Sequence, residues 1–403
     1  MCVSKFQSVL LTATLLVLSE PALPETDLTA PAAGQFRQVS TALRSIIESA
    51  LARSGARGVS AAVVLPNEVI IAEAAGYADS ETGEPMTTDT LFLGASTGKT
   101  YVAATLMTLV EEQRLNLDDK ISTWLGDEPW FERLPNHDDI TLRMLLNHSS
   151  GIPDHIYQKS FQWSRAWQIR RNRDAYYQPV ELIEFILDKP PRAPAGDSYG
   201  YTDTAYILVG LIIEKVAGNA YYNELQNRIL TPLALDSVVP SNSREIPGLA
   251  AGYVAGNFIN YVAGVVGKNL ENGLLNRNPA SEWTGGGLAT TPSALAKFYA
   301  ALFRGEILRQ DSIDEMISST VPLPNPYNQA YGLGVFVIEN EEFGVYLHHS
   351  GWIPGYMTNV IYYRDYDFAV ALQMNQDYNY DIFEPVKDIA RAVISTFELE
   401  EHR

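Results

Sequence analysis

Apolar positions along the chain follow two rhythms, one helical and one alternating, and their order outlines a fold. From Arg37 to Gly55, the residues Val39, Leu43, Ile46, Ile47 and Leu51 recur at helical spacing and predict an amphipathic helix. The run VSAAVVLPNEVIIAEAAGYAD (59–79) gives two β-rich stretches around a Pro66-Asn67 turn, which predicts a hairpin. From Thr97 to Glu112, Val102, Leu106, Leu109 and Val110 share one face and no proline intervenes, so a helix is expected with Ser96 at its first turn. Between Trp124 and Pro279 the chain is helical and loop-rich, with many Pro, Asn and aromatic residues. Strand signals return in YGLGVFVIE, GVYLHH, MTNVIYY and FAVALQM, separated by turn residues such as Asn340, Arg364-Asp365 and Asp367. A last helix is expected from Val386, Ile389, Val393, Ile394 and Phe397. The pattern predicts an α+β fold: one antiparallel sheet built from both chain ends and flanked by helices, with a mostly helical inserted domain and the functional cleft between them. The expected divisions are 36–123 and 285–403 for the α/β part and 124–284 for the insertion.

A chain of 403 residues exceeds one ordinary core, which agrees with a large domain carrying an insertion. Apolar residues make up 46% and charged residues 19%, the balance of a globular rather than a disordered chain. A net charge of −19 argues against nucleic-acid or anionic-membrane partners, which need clustered Lys and Arg, and reads as a solubility feature. The N-terminal stretch MCVSKFQSVLLTATLLVLSEPALPE has one positive charge at Lys5, an apolar run from Val9 to Leu18, then small and turn-forming residues. That layout predicts a secretory signal over residues 1–24 and a secreted or periplasmic protein; left uncleaved, the segment would act as a membrane anchor. Cys2, the sole cysteine, lies inside it, so the mature chain has neither disulfide nor cysteine nucleophile.

The stretch FLGASTGKT (92–100) allows two readings of one lysine. Gly94 with Gly98-Lys99-Thr100 suggests a phosphate loop, but three residues separate the glycines where that motif needs four, and no downstream strand ends in a magnesium-binding Asp. Ser96-Thr97-Gly98-Lys99 is instead an S-x-x-K. Residues three apart on a helix meet, and a serine hydroxyl needs a nearby group to take its proton. Alone, the pair reads as two ordinary helix residues, because S-x-x-K occurs by chance in many proteins. Two further clusters join it. Tyr201-Thr202-Asp203 stands at the mouth of a turn entering an apolar helix, where a phenol could relay a proton if cationic neighbours lowered its pKa; packing alone would also explain it. His349-Ser350-Gly351 ends a strand, where side chains reach a cleft and glycine lets a ligand approach the backbone. Six histidines without H-E-x-x-H or helical carboxylate spacing argue against a metal site, and no cofactor is implied.

In this order, the three clusters resemble the signature of the penicillin-recognising serine hydrolases: class C β-lactamases, secreted DD-carboxypeptidases, and related esterases and aminopeptidases. Their pattern is S-x-x-K, Y-x-N, then a K/H-T/S-G triplet. The likeness extends to GYADSETGEPMTTDTLFLGASTGK, LLNHSSGIPD, GGGLATTPSALAKFYAALFRG and HHSGWIPGY, and so covers roughly residues 40 to 395. The resemblance implies that Ser96 is acylated, that Lys99 is its base or proton partner, and that Tyr201 shuttles a proton to and from the leaving group. It implies an oxyanion hole made by the backbone N–H groups of Ser96 and Trp352, with Asp203, His349, Ser350 and Gly351 contacting substrate. His148 would be a structural hydrogen-bonder. Two departures bear on the substrate, a small molecule or peptide. Asp203 replaces the usual Asn; an ionised carboxylate only accepts hydrogen bonds, which weakens a site for an acylamido carbonyl and suits a free ammonium or a plain ester. His349 replaces the lysine of β-lactamases, and its charge is expected to dock a carboxylate below its pKa. The expected activity is a DD-carboxypeptidase-like or D-amino-acid peptidase, ahead of a carboxylic esterase, with β-lactam hydrolysis third. A non-catalytic binding protein on the same fold is the reading from another class. Oligomeric state stays open.

Overall fold

The computed structural model describes residues 30–324, 329–378 and 380–399. The expected signal and the alternative anchor, residues 1–24, lie outside them.

Six longer helices frame the molecule: α1 (Ala30–Ser54), α2 (Gly98–Glu111), α3 (Lys159–Arg171), α4 (Asp203–Ala217), α5 (Pro292–Phe303) and α6 (Phe383–Phe397). Nine strands among the described residues form the main sheet: β1 (Gly58–Val64), β2 (Ile70–Asp79), β3 (Glu84–Pro85), β4 (Val321–Pro322), β5 (Gln329–Tyr331), β6 (Phe336–Asn340), β7 (Gly344–Ile353), β8 (Tyr356–Tyr363) and β9 (Phe368–Met374). Their order is β4-β5-β6-β7-β8-β9-β1-β2-β3, antiparallel throughout. The expected sheet from both chain ends is therefore present, and its seam is the pairing of Val59 with Met374 through Val64 with Ala369.

Strands β1 and β9 are buried at every position, because helices cover both faces. The period of two decides which helix each residue meets. Phe368, Val370, Leu372 and Met374 join Val39, Leu43 and Ile47 of α1 and Val386, Ile389 and Val393 of α6 in one core. Ala369 and Ala371 turn to the other core, with Leu295, Phe298 and Leu302 of α5 and Leu106 and Leu109 of α2. This second core continues through α4 and much of the middle segment.

The expected insertion, 124–284, is mostly helical but also contributes Val238–Pro240 to a small sheet with Phe92–Leu93 and Leu288–Thr290. Strand Leu288–Thr290 lies between the other two, so the middle segment is stitched to both flanks beside the turn that carries Ser96.

Candidate active site

Ser96 lies in the 3-10 turn Ala95–Thr97 that runs straight into α2. Ala95 holds φ at 50°, a left-handed conformation costly for alanine, which turns the chain sharply before Ser96. Three glycines permit the crowding around this turn. A Cβ on Gly286 would sit 2.4 Å from the Ala95 carbonyl, one on Gly98 would sit 3.0 Å from Gly286 Cα, and one on Gly351 would sit 2.1 Å from Gly94 O. The 283–286 segment and strand β7 thus press against the start of α2, whose free N–H groups and dipole favour negative charge there.

The Lys99 side chain is fully buried. Its Nζ donates to Ser96 Oγ at 3.2 Å and to Gly285 O at 2.5 Å, and forms an ion pair with Asp203 Oδ1. The rings of Tyr201 and Tyr206 lie 5.0 and 5.5 Å from the same nitrogen. Two hydrogen-bond acceptors, one ion-paired carboxylate and two aromatic rings enclose the ammonium.

Tyr201 precedes α4, and Asp203 is that helix's first residue; Gly218, at φ 71°, caps its far end. A carboxylate in the first turn opposes the helix dipole favourably, and the turn brings Asp203 back over Lys99. The Tyr201 hydroxyl is pushed well above the ordinary tyrosine range, by burial first and the Asp203 charge second, while its hydrogen bond to Ser96 pulls the other way. The proviso that cationic neighbours lower this pKa is not met, and Tyr201 is a protonated phenol in contact with Ser96.

His349 is a second correction. It is buried, its Nδ1 donates to the Ser350 carbonyl at 2.7 Å, and its Nε2 accepts from the Tyr331 hydroxyl at 2.9 Å. Burial, and then the Lys99 charge, hold its pKa well below the usual histidine range. A neutral ring with both nitrogens engaged does not offer the charge expected to dock a carboxylate. What β7 does offer is an edge: it pairs with β8 from Tyr346 to Ile353 but with β6 only from Gly344 to His348. Half-buried Ser350, Gly351 and the exposed Trp352 lie on that unpaired stretch, beside the turn bearing Ser96. The Trp352 indole N–H is held by the Asp377 carbonyl at 2.7 Å.

His148, at φ 59° and fully buried, accepts at Nδ1 from the Thr202 N–H at 3.3 Å, and its ring centroid is 4.1 Å from that of Tyr201. That is the structural hydrogen-bonding expected of it.

Several residues at the site carried no role in the sequence reading. Asp154 is buried, accepts from the Asp203 N–H at 3.1 Å, and has its carboxyl pushed up by burial and then by the Asp203 charge. His155 Nδ1 meets Thr204 Oγ1 at 2.9 Å, and burial pushes its pKa down to about 4. The signal for Asp154 was its place at the end of LLNHSSGIPD, where it caps a short 3-10 turn through the Ile156 N–H. Arg277 and Glu282 line a cavity of about 250 Å³ beside the site, together with Asp203, Gly285, Ile207 and Trp352. No motif marks either of them. Among the described residues no group of His, Cys, Asp and Glu side chains could hold a metal ion.

A family model described as Beta-lactamase matches residues 43–392. Among curated relatives, a penicillin-binding protein of Bacillus subtilis (strain 168) is 26% identical over 323 residues, which are 75% of this chain and 64% of that protein. The chain therefore spans less than two thirds of that relative's length. Among solved structures, a D-stereospecific amidohydrolase from Streptomyces sp. superposes with a TM-score of 0.74 at 26% identity, covering 87% of this chain and 97% of that one. The D-amino acid amidase from Ochrobactrum anthropi SV3, complexed with L-phenylalanine amide, gives 0.72 at 26% identity, over 89% and 98%.

Proposed function

The chain belongs to the Beta-lactamase family and is a serine hydrolase, and from that premise we propose that it cleaves amides or short peptides of D-amino acids bearing a free ammonium group, through an acyl-enzyme on Ser96. The observation that carries this reading is the wall of the cavity beside Ser96, where Asp203 stands in place of an amide-donating asparagine and Glu282 adds a second carboxyl group. Carboxylates only accept, so they favour an ammonium over an acylated nitrogen. The two D-specific amide hydrolases among the structural relatives, matched over nearly their whole length, support the same substrate class.

In the proposed reaction, Ser96 Oγ attacks the substrate carbonyl carbon and the carbonyl oxygen takes the charge, facing the N–H groups of Ser96 and Trp352. The Ser96 proton passes to the Tyr201 oxygen as the phenolic proton moves to the departing nitrogen, so the amine leaves neutral and Tyr201 stays protonated. The Lys99 ammonium, donating to Oγ, stabilises the charge that builds there. Water then attacks the ester by the reverse route, releasing the free acid and restoring Ser96.

The test incubates the purified protein with D- and L-phenylalanine amide and with a fluorophosphonate. Faster turnover of the D amide is expected, with a fluorophosphonate adduct on Ser96, and Ser96→Ala should abolish both, lowering kcat by about 10,000-fold or more. Turnover confined to the L amide, or no adduct on Ser96, would refute the proposal.

A further inference from the structure

The cavity beside Ser96 holds more charge than the chemistry above requires. Its lining includes two guanidinium groups, Arg165 and Arg277, and the carboxylate of Glu282. Arg165 is spoken for: it donates to Gln168 Oε1 at 2.6 Å, to the Ala175 carbonyl at 3.0 Å and to the Asn278 carbonyl at 2.6 Å, all neutral acceptors. Arg277 is different. It is half-buried, and among the described residues its neighbours act on it through charge alone, with no hydrogen bond to a side chain or carbonyl. Glu282 acts on it electrostatically without closing into an ion pair, and Asp377 spends its two oxygens on the Ala255 and Gly355 N–H groups.

A guanidinium carries five N–H donors in a planar fork that matches a carboxylate. Half-buried rather than sealed, that fork is open to the cavity, and a ligand carboxylate meeting it there gains a charge-assisted, two-pronged pair. The positive charge is also crowded, since Arg277 is the charged neighbour that, with burial, draws Arg165 down to about 10. The rest of the lining, with Ile207, Ile169, Phe161 and Val265, suits the methylene stem of a side chain that ends at Arg277.

We infer that Arg277 is a specificity-determining residue that receives a carboxylate carried on the acyl group, so that the preferred substrates are amides or peptides of acidic residues. This rests on the reading above in seating the acyl group in this cavity. It assigns the ammonium to the Asp203 and Glu282 side and the side-chain carboxylate to Arg277.

The test compares the wild type with Arg277→Met, which keeps the length and removes the charge. The substrates are the p-nitroanilides of D-glutamate and D-methionine, with p-nitrophenyl butyrate and the mono-p-nitrophenyl ester of glutaric acid as a second pair lacking any ammonium. The wild type should favour the acidic member of each pair at least tenfold in kcat/KM. Arg277→Met should lower the acidic members about 100-fold and change the neutral ones less than threefold, which also reports that the variant is folded. A wild type that favours D-methionine and butyrate, or a variant that loses both members alike, overturns the inference. Glutarate preference abolished by Arg277→Met, with neither anilide cleaved, would uphold Arg277 and sink the D-amide reading. Both anilides cleaved without acidic preference would do the reverse, and no turnover of either ester or anilide by the wild type would sink both.

Discussion

Lys99 and Asp203 form a buried ion pair in which the carboxylate is the part that varies chemistry. The Lys99 ammonium donates to Ser96 Oγ and Gly285 O and is ion-paired with Asp203 Oδ1, so replacing Asp203 by asparagine removes a full negative charge beside it while keeping the shape. Asparagine can also donate to a substrate carbonyl, which a carboxylate cannot. Asp203→Asn should therefore raise acylation of Ser96 by a fluorescent penicillin and lower kcat/KM for an ammonium-bearing amide about tenfold or more. Reduced penicillin labelling in that variant would count against the role assigned to the carboxylate. At this scale, the residues legible in the sequence are those fixed by short spacing: Ser96 and Lys99 share one helical turn, and Tyr201 and Asp203 share one helix entry. Asp154 had only its place at the end of LLNHSSGIPD, while Arg277 and Glu282, just before and in the short 3-10 turn Ala280–Glu282, lie in a stretch where nothing local sets them off from other charged residues. His349 was legible as a strand residue next to the site, but which way its ring bonds depends on Tyr331, supplied by another strand.

The site is the meeting of two elements, the start of α2 and the unpaired edge of β7, and glycine sets their separation. Gly351 has no room for a Cβ, because Gly94 O would lie 2.1 Å away and Ala95 Cβ 3.2 Å away. Gly351→Ala should push the strand edge from the Ser96 turn and misplace the Trp352 N–H, the donor proposed for the oxyanion, lowering kcat by about 100- to 1,000-fold, the range for losing one such donor. Circular dichroism should stay native. Activity within threefold of wild type would show that the two elements do not need this contact. Long elements were legible because they repeat: FAVALQM alternates between two cores, and the face of α6 recurs over four turns. Pieces such as Glu84–Pro85, Phe92–Leu93 and Val238–Pro240 are two or three residues long, too short to show a period, and their pairing comes from tertiary contact alone.

Across the whole molecule, the face of the sheet turned away from the site is sealed by the two terminal helices, and His348 is buried beneath them. Its ring stacks on Phe336 with centroids 4.8 Å apart and meets Phe383 of α6 edge-on at 5.4 Å; its Nδ1 is buried without a hydrogen-bond partner. Burial, then the Lys387 charge, brings its pKa down to about 3. A depressed histidine pKa means that the unfolded chain takes up a proton from about pH 6.5 downward while the folded chain does not, so its stability is whole above 6.5 and is lost as pH falls toward 3. The loss is about 1.4 kcal/mol per pH unit from this one residue. His348→Phe should be as stable as wild type at pH 7 and, between pH 6.5 and 4.5, lose about 2 kcal/mol less, read from urea unfolding. Equal acid sensitivity of the two proteins would exclude buried His348 as a source of it. The general layout, a sheet from both ends with a helical middle, was legible from the order of the two rhythms; the stitching of the middle to the flanks was not. The seam between β1 and β9 has a further consequence during synthesis. The Gly58 N–H donates to Asn375 Oδ1, a partner 317 positions later, so the first strand made waits for nearly the last. Ser96 is likewise far ahead in the chain of the β7 edge that packs against its turn, so that contact also forms only after most of the chain has been made. Contacts so distant in sequence make for slow folding.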